Sequence, residues 1–218
     1  MRWPLSVSRE PPEIEPLIPV PRADAFDAPA YLFEPKYDGL RGLFFMRGPA
    51  TWFQSKRGHA LPRFDELALW VHQELGNRNV ILDGEVVALD ANGRQDLRML
   101  LAGRGQPHYV AFDVLWKDGK DLRGQPLRKR KRTLERLIPS STSVLSRVHA
   151  VAERGRDLYR AATRLDLEGI VAKRAADPYR PGTVWYTIMN RGYSGLRGGG
   201  NSSRRSGASP RPSPFTTG

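Results

Sequence analysis

Two runs rich in β-branched and aromatic residues, residues 80–90 and 108–116, constrain the fold of this chain most strongly. Such runs are typical of buried strands. Residues 42–47 and 51–54 are shorter strand-like runs, and the Gly-Pro pair between them predicts a hairpin. Strand-like segments therefore dominate the body of the chain.

A few helices are predicted between these strands. Residues 62–75 predict a helix, because their apolar side chains fall on one helical stripe and a proline suits the first turn. Residues 127–138 and 151–166 are weaker helical candidates. Antiparallel strands with inserted helices predict an α+β fold.

Composition divides the chain into three parts. Residues 1–22 are rich in proline, which predicts an extended leader that crosses a surface. Residues 23–193 have the pattern of a globular domain. Residues 194–218 are mostly glycine, serine, arginine and proline, with no acidic residue, which predicts a basic, disordered tail.

The charge balance points to a polyanionic partner. The chain has 35 Lys and Arg against 23 Asp and Glu, a formal net charge of +12. A balance this basic favours nucleic acid over a membrane surface as the partner. The chain has no cysteine, which excludes disulfides, thiolate zinc sites and cysteine nucleophiles. No apolar run approaches the roughly 18 residues of a membrane span, and the chain starts with prolines and charges, so a cytoplasmic protein is expected.

The first segment with chemistry runs from Glu34 to Arg41 and contains Lys36 beside the turn-forming pair Asp38-Gly39. The fixed charge of Arg41 and partial desolvation would both favour the neutral amine of Lys36, the form that acts as a nucleophile. On its own, the pattern favours a surface lysine before a hairpin turn over a nucleophile.

Three further segments carry candidate groups. Alternation along a strand puts Asp83 and Glu85 on the same face, where they need an arginine, a metal ion or a ribose hydroxyl as a partner. Residues 167–173 place Glu168 at a helix-to-strand junction with Lys173 at the far end. Phe112 could stack on a base or belong to the core.

Together and in this order, these segments resemble the nucleotidyltransferase domain of ATP-dependent DNA ligases, especially small bacterial ones related to end-joining ligases. Five motifs over residues 31–193 carry the resemblance. Lys36-Tyr37-Asp38-Gly39 with Arg41 is similar to the first motif, K-x-D-G-x-R, and Ser55-Lys56-Arg57-Gly58 is similar to S-R-x-G. Asp83-Gly84-Glu85 is similar to the third motif, Phe112-Asp113 to the aromatic–acid motif that follows it, and residues 168–173 to the fourth motif. The basic run at residues 128–132 lies where relatives carry an arginine-rich helix, and it fits either a solvated face or contact with the DNA backbone.

The resemblance implies a two-step chemistry. Lys36 would attack the α-phosphate of ATP to give a lysine–AMP phosphoramidate and release pyrophosphate. AMP would then pass to a 5′-phosphate at a DNA nick, and the 3′-hydroxyl would displace it. The implied nucleotide-binding residues are Glu34, Arg41, Lys56, Arg57, Glu85, Phe112 and Lys173. Phe112 would stack on adenine, and Arg41 together with Lys56 or Arg57 would contact the phosphates. Glu85 and Glu168 would be ligands of Mg²⁺ or Mn²⁺.

The resemblance also implies the architecture and the partners. The expected fold is an antiparallel-sheet nucleotidyltransferase domain, the ATP-grasp-like adenylation domain of ligases. Complete ligases continue into an oligonucleotide-binding barrel, and the tail of this chain does not resemble one. The implied partners are ATP, nicked or broken DNA, and a separate barrel-containing or end-joining protein.

The last motif departs from the family pattern. Relatives have W-x-K-x-K, or W-x-K followed by Asn, whereas residues 185–190 place Thr187 and Met189 where lysines are expected. Arg180 is a candidate to replace the missing charge. Two other functions therefore stay open: an RNA ligase or other nucleotidyltransferase, and an impaired remnant that binds nucleotide or nicked DNA without sealing it.

Overall fold

The computed structural model describes residues 13–90 and 94–195. The first twelve residues of the predicted leader and the tail beyond residue 195 lie outside these ranges. The strands described are β1 (Val20–Pro21), β2 (Ala28–Lys36), β3 (Leu40–Arg47), β4 (Ala50–Ser55), β5 (Val80–Ala88), β6 (Pro107–Lys117), β7 (Lys120–Asp121), β8 (Leu145–Arg147), β9 (Val151–Glu153), β10 (Gly169–Arg174) and β11 (Trp185–Met189). The helices described are α1 (Asp65–Leu75), α2 (Leu97–Leu101), α3 (Leu127–Leu137) and α4 (Gly155–Arg164).

The strands form two sheets. The first has the order β1-β11-β10-β2-β9, and the second has the order β4-β3-β5-β6-β7, with β8 also paired to β6. Neighbouring strands are antiparallel except in the pairs β1–β11 and β6–β8. The predicted α+β fold with antiparallel sheets is confirmed.

The first helix and the hairpin follow the sequence pattern. β3 and β4 pair as predicted, and a 3₁₀ turn (Pro62–Phe64) leads into α1. The apolar stripe of α1 is buried in one core with residues of β3 to β6. Within the two described ranges, no helix is both long and apolar enough to cross a membrane.

The predicted helix over residues 151–166 is wrong at its start. Val151–Glu153 forms β9, which pairs with β2, and α4 begins only at Gly155. A β-carbon at Gly155 would lie 2.3 Å from both the carbonyl oxygen of Phe26 and the ring of Phe33, so only glycine fits there. Sheet pairing therefore overrides the helical pattern over these residues.

The five consecutive basic residues of α3 do not share one environment. Arg128, Lys129 and Arg132 are exposed, whereas Arg130 is fully buried and Lys131 is half-buried. The buried positions of this helix recur every three or four residues, so its buried stripe passes through the basic run. The interpretation of the run as a single solvated or DNA-contacting face is wrong for Arg130 and Lys131.

The described part of the leader lies along the domain. Ile14 and Leu17 are buried in a core cluster with Tyr179 and Trp185. β1 extends the first sheet by pairing with β11. The leader therefore reaches the edge of the cavity described next.

Candidate active site

A cavity of about 130 Å³ is lined by residues of both sheets. Six of the nine predicted site residues line it, namely Glu34, Lys36, Arg41, Glu85, Phe112 and Lys173. Pro19 of the leader and Trp185 of β11 complete part of the wall. The fold thus gathers side chains from segments that are far apart in the chain.

The other three predicted site residues lie elsewhere. Glu168 is outside the lining but contacts it through Lys36. Lys56 and Arg57 are exposed in the turn after β4, where the Ser55 hydroxyl accepts the backbone N–H of Arg57. The assignment of Lys56 and Arg57 to phosphate binding stays a prediction.

Lys36 ends β2, and its ammonium is paired with a carboxylate. Its Nζ donates to Oε2 of Glu168 at 2.5 Å. Glu168 directly precedes β10, and Gly169 lies opposite Lys36 in the sheet. Gly169 has a φ of +152°, and a β-carbon there would lie 2.2 Å from the carbonyl oxygen of Ile188. Glycine therefore lets β10 pack tightly enough to bring Glu168 to Lys36.

Arg41 is the charged partner of Asp83. Its Nε and Nη2 donate to the two carboxylate oxygens of Asp83 at 2.5 and 2.6 Å. The Tyr179 hydroxyl donates to the same carboxylate at 2.7 Å. Of the partners considered for Asp83, the structure shows an arginine. Asp83 is fully buried, so this two-fold contact offsets the cost of burying its charge.

Glu85 lines the cavity without a comparable partner. Burial raises the pKa of its carboxyl to about 7, and the nearby charges of Arg41 and Lys36 only partly oppose that rise. The free chain therefore holds a carboxyl group that titrates near neutral pH at the cavity wall. A perturbed acid in a cavity is typical of a functional site.

The raised pKa of Glu85 predicts a pH-dependent stability. Its folded-state pKa of about 7 lies above the ordinary value of 4.5, so stability from this group falls as pH rises between those values. In EDTA, Glu85→Gln should therefore gain stability relative to the parent between pH 5 and pH 8, by on the order of 3 kcal/mol at most. Urea unfolding at both pH values measures this. Exposed Glu74→Gln is the control, and a Glu85→Gln difference that is independent of pH would contradict the assignment.

A buried network joins Glu34 to two lysines. Lys173 Nζ donates to Oε2 of Glu34 at 2.6 Å, and the ammonium of Lys131 contacts Oε1. Both Glu34 and Lys173 are only 2% exposed. Burial lowers the pKa of Lys173 to about 8, opposed chiefly by the charge of Glu34. Sequence reasoning missed Lys131, whose only signal is its place beside the buried stripe of α3.

Two cationic side chains contact the Phe112 ring. Its ring centroid lies 4.6 Å from the Arg41 guanidinium carbon and 4.4 Å from Lys173 Nζ. Trp185 meets the ring edge-on at 6.1 Å between centroids. The ring faces the cavity, and its stacking on adenine stays a prediction.

A second, larger cleft opens beside Glu168. Its volume is about 470 Å³, and its wall includes Asp38, Glu168, Arg94 and Arg98. The Tyr193 hydroxyl donates to Asp38 at 2.8 Å, which fixes the turn that follows Lys36. Lys36 therefore lies between a small cavity and a larger open cleft.

The departure in the last motif falls on β11. Thr187 lies opposite Val171, which lines the cavity, and alternation puts it on the same strand face as Trp185. Its hydroxyl makes only a weak contact with the Met189 sulfur at 3.6 Å. Arg180 is exposed and is not among the residues that line the cavity. A role for Arg180 in replacing the missing charge stays a prediction.

Comparison with solved structures places this fold among ligases. A mycobacterial DNA ligase D complexed with ATP and MES matches with a TM-score of 0.71 and 27% identity, over 80% of this chain and 59% of that one. A Chlorella virus DNA ligase-adenylate matches in fold with a TM-score of 0.58, at 14% identity over 81% of this chain and 69% of that one. The predicted nucleotidyltransferase fold is confirmed.

Sequence comparison agrees with the structural one. The multifunctional non-homologous end joining protein LigD of Pseudomonas aeruginosa is 34% identical over 160 residues, which span 69% of this chain and 19% of that protein. DNA ligase C1 of Mycolicibacterium smegmatis is 30% identical over 190 residues, which span 78% of this chain and 54% of that protein. The chain thus spans about half or less of these relatives. The family model for the ATP dependent DNA ligase domain matches residues 21–188, and this chain belongs to that family.

Proposed function

We propose that this chain is the adenylation domain of an ATP-dependent DNA ligase that acts in the repair of DNA breaks. One observation carries the proposal: Lys36 lies where the two sheets meet, in a cavity that five other predicted site residues also line. The relatives named above, among them an end-joining protein, support a role in end joining. The proposed compartment is the cytoplasm.

ATP would extend over both the inner cavity and the larger cleft. The inner cavity, about 130 Å³, is smaller than the roughly 300–1,000 Å³ of most ligand pockets. It has the scale of a base rather than of a whole nucleotide. The base of ATP would therefore lie against Phe112, and the phosphates would extend past Lys36 toward the larger cleft.

Lys36 is the proposed nucleophile. Attack by its Nζ forms a bond to the α-phosphorus, breaks the bond from that phosphorus to the bridging oxygen of the β-phosphate, and releases pyrophosphate. The amine needs a free lone pair, so the ammonium of Lys36 has to lose one proton before attack, and the Glu168 carboxylate, which accepts a hydrogen bond from Nζ at 2.5 Å, is the proposed acceptor. The nitrogen loses its second proton to solvent once the bond to phosphorus has formed.

The donor set fits a magnesium ion. Mg²⁺ is usually held by one or two carboxylates together with substrate phosphates, and Glu85 and Glu168 supply such carboxylates near Lys36. In the described part of the chain, no three acidic or histidine side chains form a ready metal site. Bound Mg²⁺ would neutralise charge on the phosphates.

The larger cleft is the proposed entry for the DNA end. Arg94 and Arg98 on its wall can contact phosphates, but five carboxylates share that wall, namely Asp38, Asp90, Asp96, Asp166 and Glu168. The attraction for a polyanion therefore comes from the overall charge of +12 rather than from the cleft itself. A separate barrel-containing or end-joining protein would complete the grip on DNA.

Labelling with α-labelled ATP and Mg²⁺ tests the function. The purified chain should show a covalent band on denaturing electrophoresis, and a chase with nicked DNA should move the label to the 5′-phosphate. Transfer to nicked RNA but not to DNA would favour an RNA ligase. A parent chain that forms no covalent band would be the impaired remnant, and the proposal would fail.

Thr187→Lys should speed lysine adenylylation. Relatives carry a lysine there, and Thr187 shares the strand face of Trp185 beside the cavity, so a lysine could add positive charge near the phosphates. We expect a gain of at least about tenfold, roughly 1.4 kcal/mol of barrier, in single-turnover labelling.

Met189→Lys serves as the matched control for that gain. It places the same charge two residues further along the same strand, opposite Gly169, and should change the rate little. If Thr187→Lys is no faster than the parent, another group already supplies the charge.

A further inference from the structure

Lys131 connects the two sheets at the cavity although it does not line it. Its Nζ donates to the carbonyl oxygen of Phe112 on β6 at 2.7 Å and contacts the Glu34 carboxylate on β2. β2 belongs to the first sheet and β6 to the second. One ammonium group on α3 therefore ties together two opposite walls of the cavity.

The contact between Lys131 and Glu34 is buried and specific. The Lys131 side chain is only 13% exposed, whereas its neighbours Lys129 and Arg132 are exposed. Among the residues that the structure describes, this ammonium is the one polar group in contact with Oε1 of Glu34. Because an unpaired buried carboxylate oxygen is costly, removal of Lys131 would leave Glu34 free to turn toward Lys173 or solvent.

Lys131, Lys173 and the Glu34 carboxylate that they share carry one net positive charge. Asp113, the other carboxylate that acts on Lys173, is paired with Arg130. Burial is the largest cause of the lowered pKa of Lys173, and the charge of Lys131 lowers that pKa further. Lys173 lies against the rings of Phe112 and Trp185, so its charge state alters the surface offered to a base.

We propose that Lys131 is a positioning residue for nucleotide binding, which fixes the spacing of Glu34 and Phe112 and sets the charge of the cavity through Lys173. The inference rests on the proposed function, because it assumes that a nucleotide base occupies this cavity. Lys131 touches no substrate, so it should act on the affinity for ATP and leave the chemical step at Lys36 nearly unchanged.

The test compares three variants with the parent. Lys131→Met keeps the side-chain stem and removes the charge, Lys131→Arg restores charge and donors, and Lys129→Met is the control on the exposed face of the same helix. Lys131→Met should raise the Kd for ATP by at least about tenfold, the scale of one charge-assisted hydrogen bond. Its single-turnover labelling rate at saturating ATP should stay within about threefold of the parent. Lys131→Arg should recover most of the affinity, and Lys129→Met should match the parent.

A second readout needs no nucleotide. The Nζ titration of Lys173, followed by NMR in the free chain, should move to higher pH in Lys131→Met and stay in place in Lys129→Met. If Lys131→Met does not fold, Lys131→Gln provides the same two measurements, since its amide can still donate to the Phe112 carbonyl.

The outcomes separate this inference from the proposed function. Unchanged ATP affinity, or an unmoved Lys173 titration, would overturn the role of Lys131 even if the parent chain labels normally. A parent chain that neither binds ATP nor labels would overturn the proposed function and, with it, the nucleotide-positioning role.

Discussion

Replacing Lys36 with alanine should reduce covalent labelling from α-labelled ATP to background. Lys36 is the lysine at the junction of the small cavity and the larger cleft, and its side chain is partly exposed. Lys173 is buried against Glu34, so it is not free to replace the lost amine. Replacement of Lys36 removes the atom that forms the covalent bond.

Two controls make the Lys36 result specific. Lys129→Ala alters an exposed lysine of α3 that has no assigned role in the site, and it should leave labelling on Lys36 in place. The thermal unfolding of Lys36→Ala should stay close to that of the parent, because its ion pair with Glu168 is partly exposed and contributes little. A label that persists in Lys36→Ala would overturn the assignment of the nucleophile.

Arg130→Met should destabilise the fold by roughly 3–5 kcal/mol. Arg130 and Asp113 are both fully buried, and two hydrogen bonds of 2.8 and 2.9 Å join the guanidinium to the carboxylate. Arg130 also donates to the carbonyl oxygens of Gln125 and Asp177. Removing the guanidinium leaves a buried carboxylate without its charged partner, with only the backbone N–H of Val114 as a donor. It also takes one donor from each of the two carbonyls, although Asp177 keeps the backbone N–H of Leu127. Urea unfolding measures the loss.

The matched control for Arg130 lies on the same helix. Arg128→Met removes an equal charge from an exposed position and should change stability by about 0.5 kcal/mol or less. Adding Asp113→Leu to Arg130→Met should recover at least about 1 kcal/mol, because the unpaired carboxylate is then gone. An Arg130→Met chain as stable as Arg128→Met would show that the buried pair contributes nothing.

Local pattern indicated candidate residues of the site, and the family resemblance supplied their roles. Alternation along a strand put Asp83 and Glu85 on one face. Lys36 and Phe112 gained their proposed roles only from the order of the motifs along the chain, and the structure brings Lys36, Glu85 and Phe112 to one cavity. The hairpin and the first helix followed from turn residues and an apolar stripe in the same manner.

The partners of the buried charged residues could not be predicted, because they depend on contacts between segments that are distant in the sequence. Five adjacent cations predict a solvated helix face, and only the spacing of the neighbouring leucines indicates that Arg130 faces the core. Whether Asp83 meets a metal ion or Arg41 depends on the register between β3 and β5, which a single sequence does not specify. The contact of Lys131 with Glu34 joins α3 to β2, two segments far apart in the sequence, so no local pattern predicts it.

The central claim is that Lys36 carries the AMP. The most direct measurement is peptide mapping by mass spectrometry of the parent chain after incubation with ATP and Mg²⁺. We predict a single AMP adduct on the peptide that contains Lys36. An adduct on another lysine, or a chain that binds ATP and gains no adduct, would contradict the account.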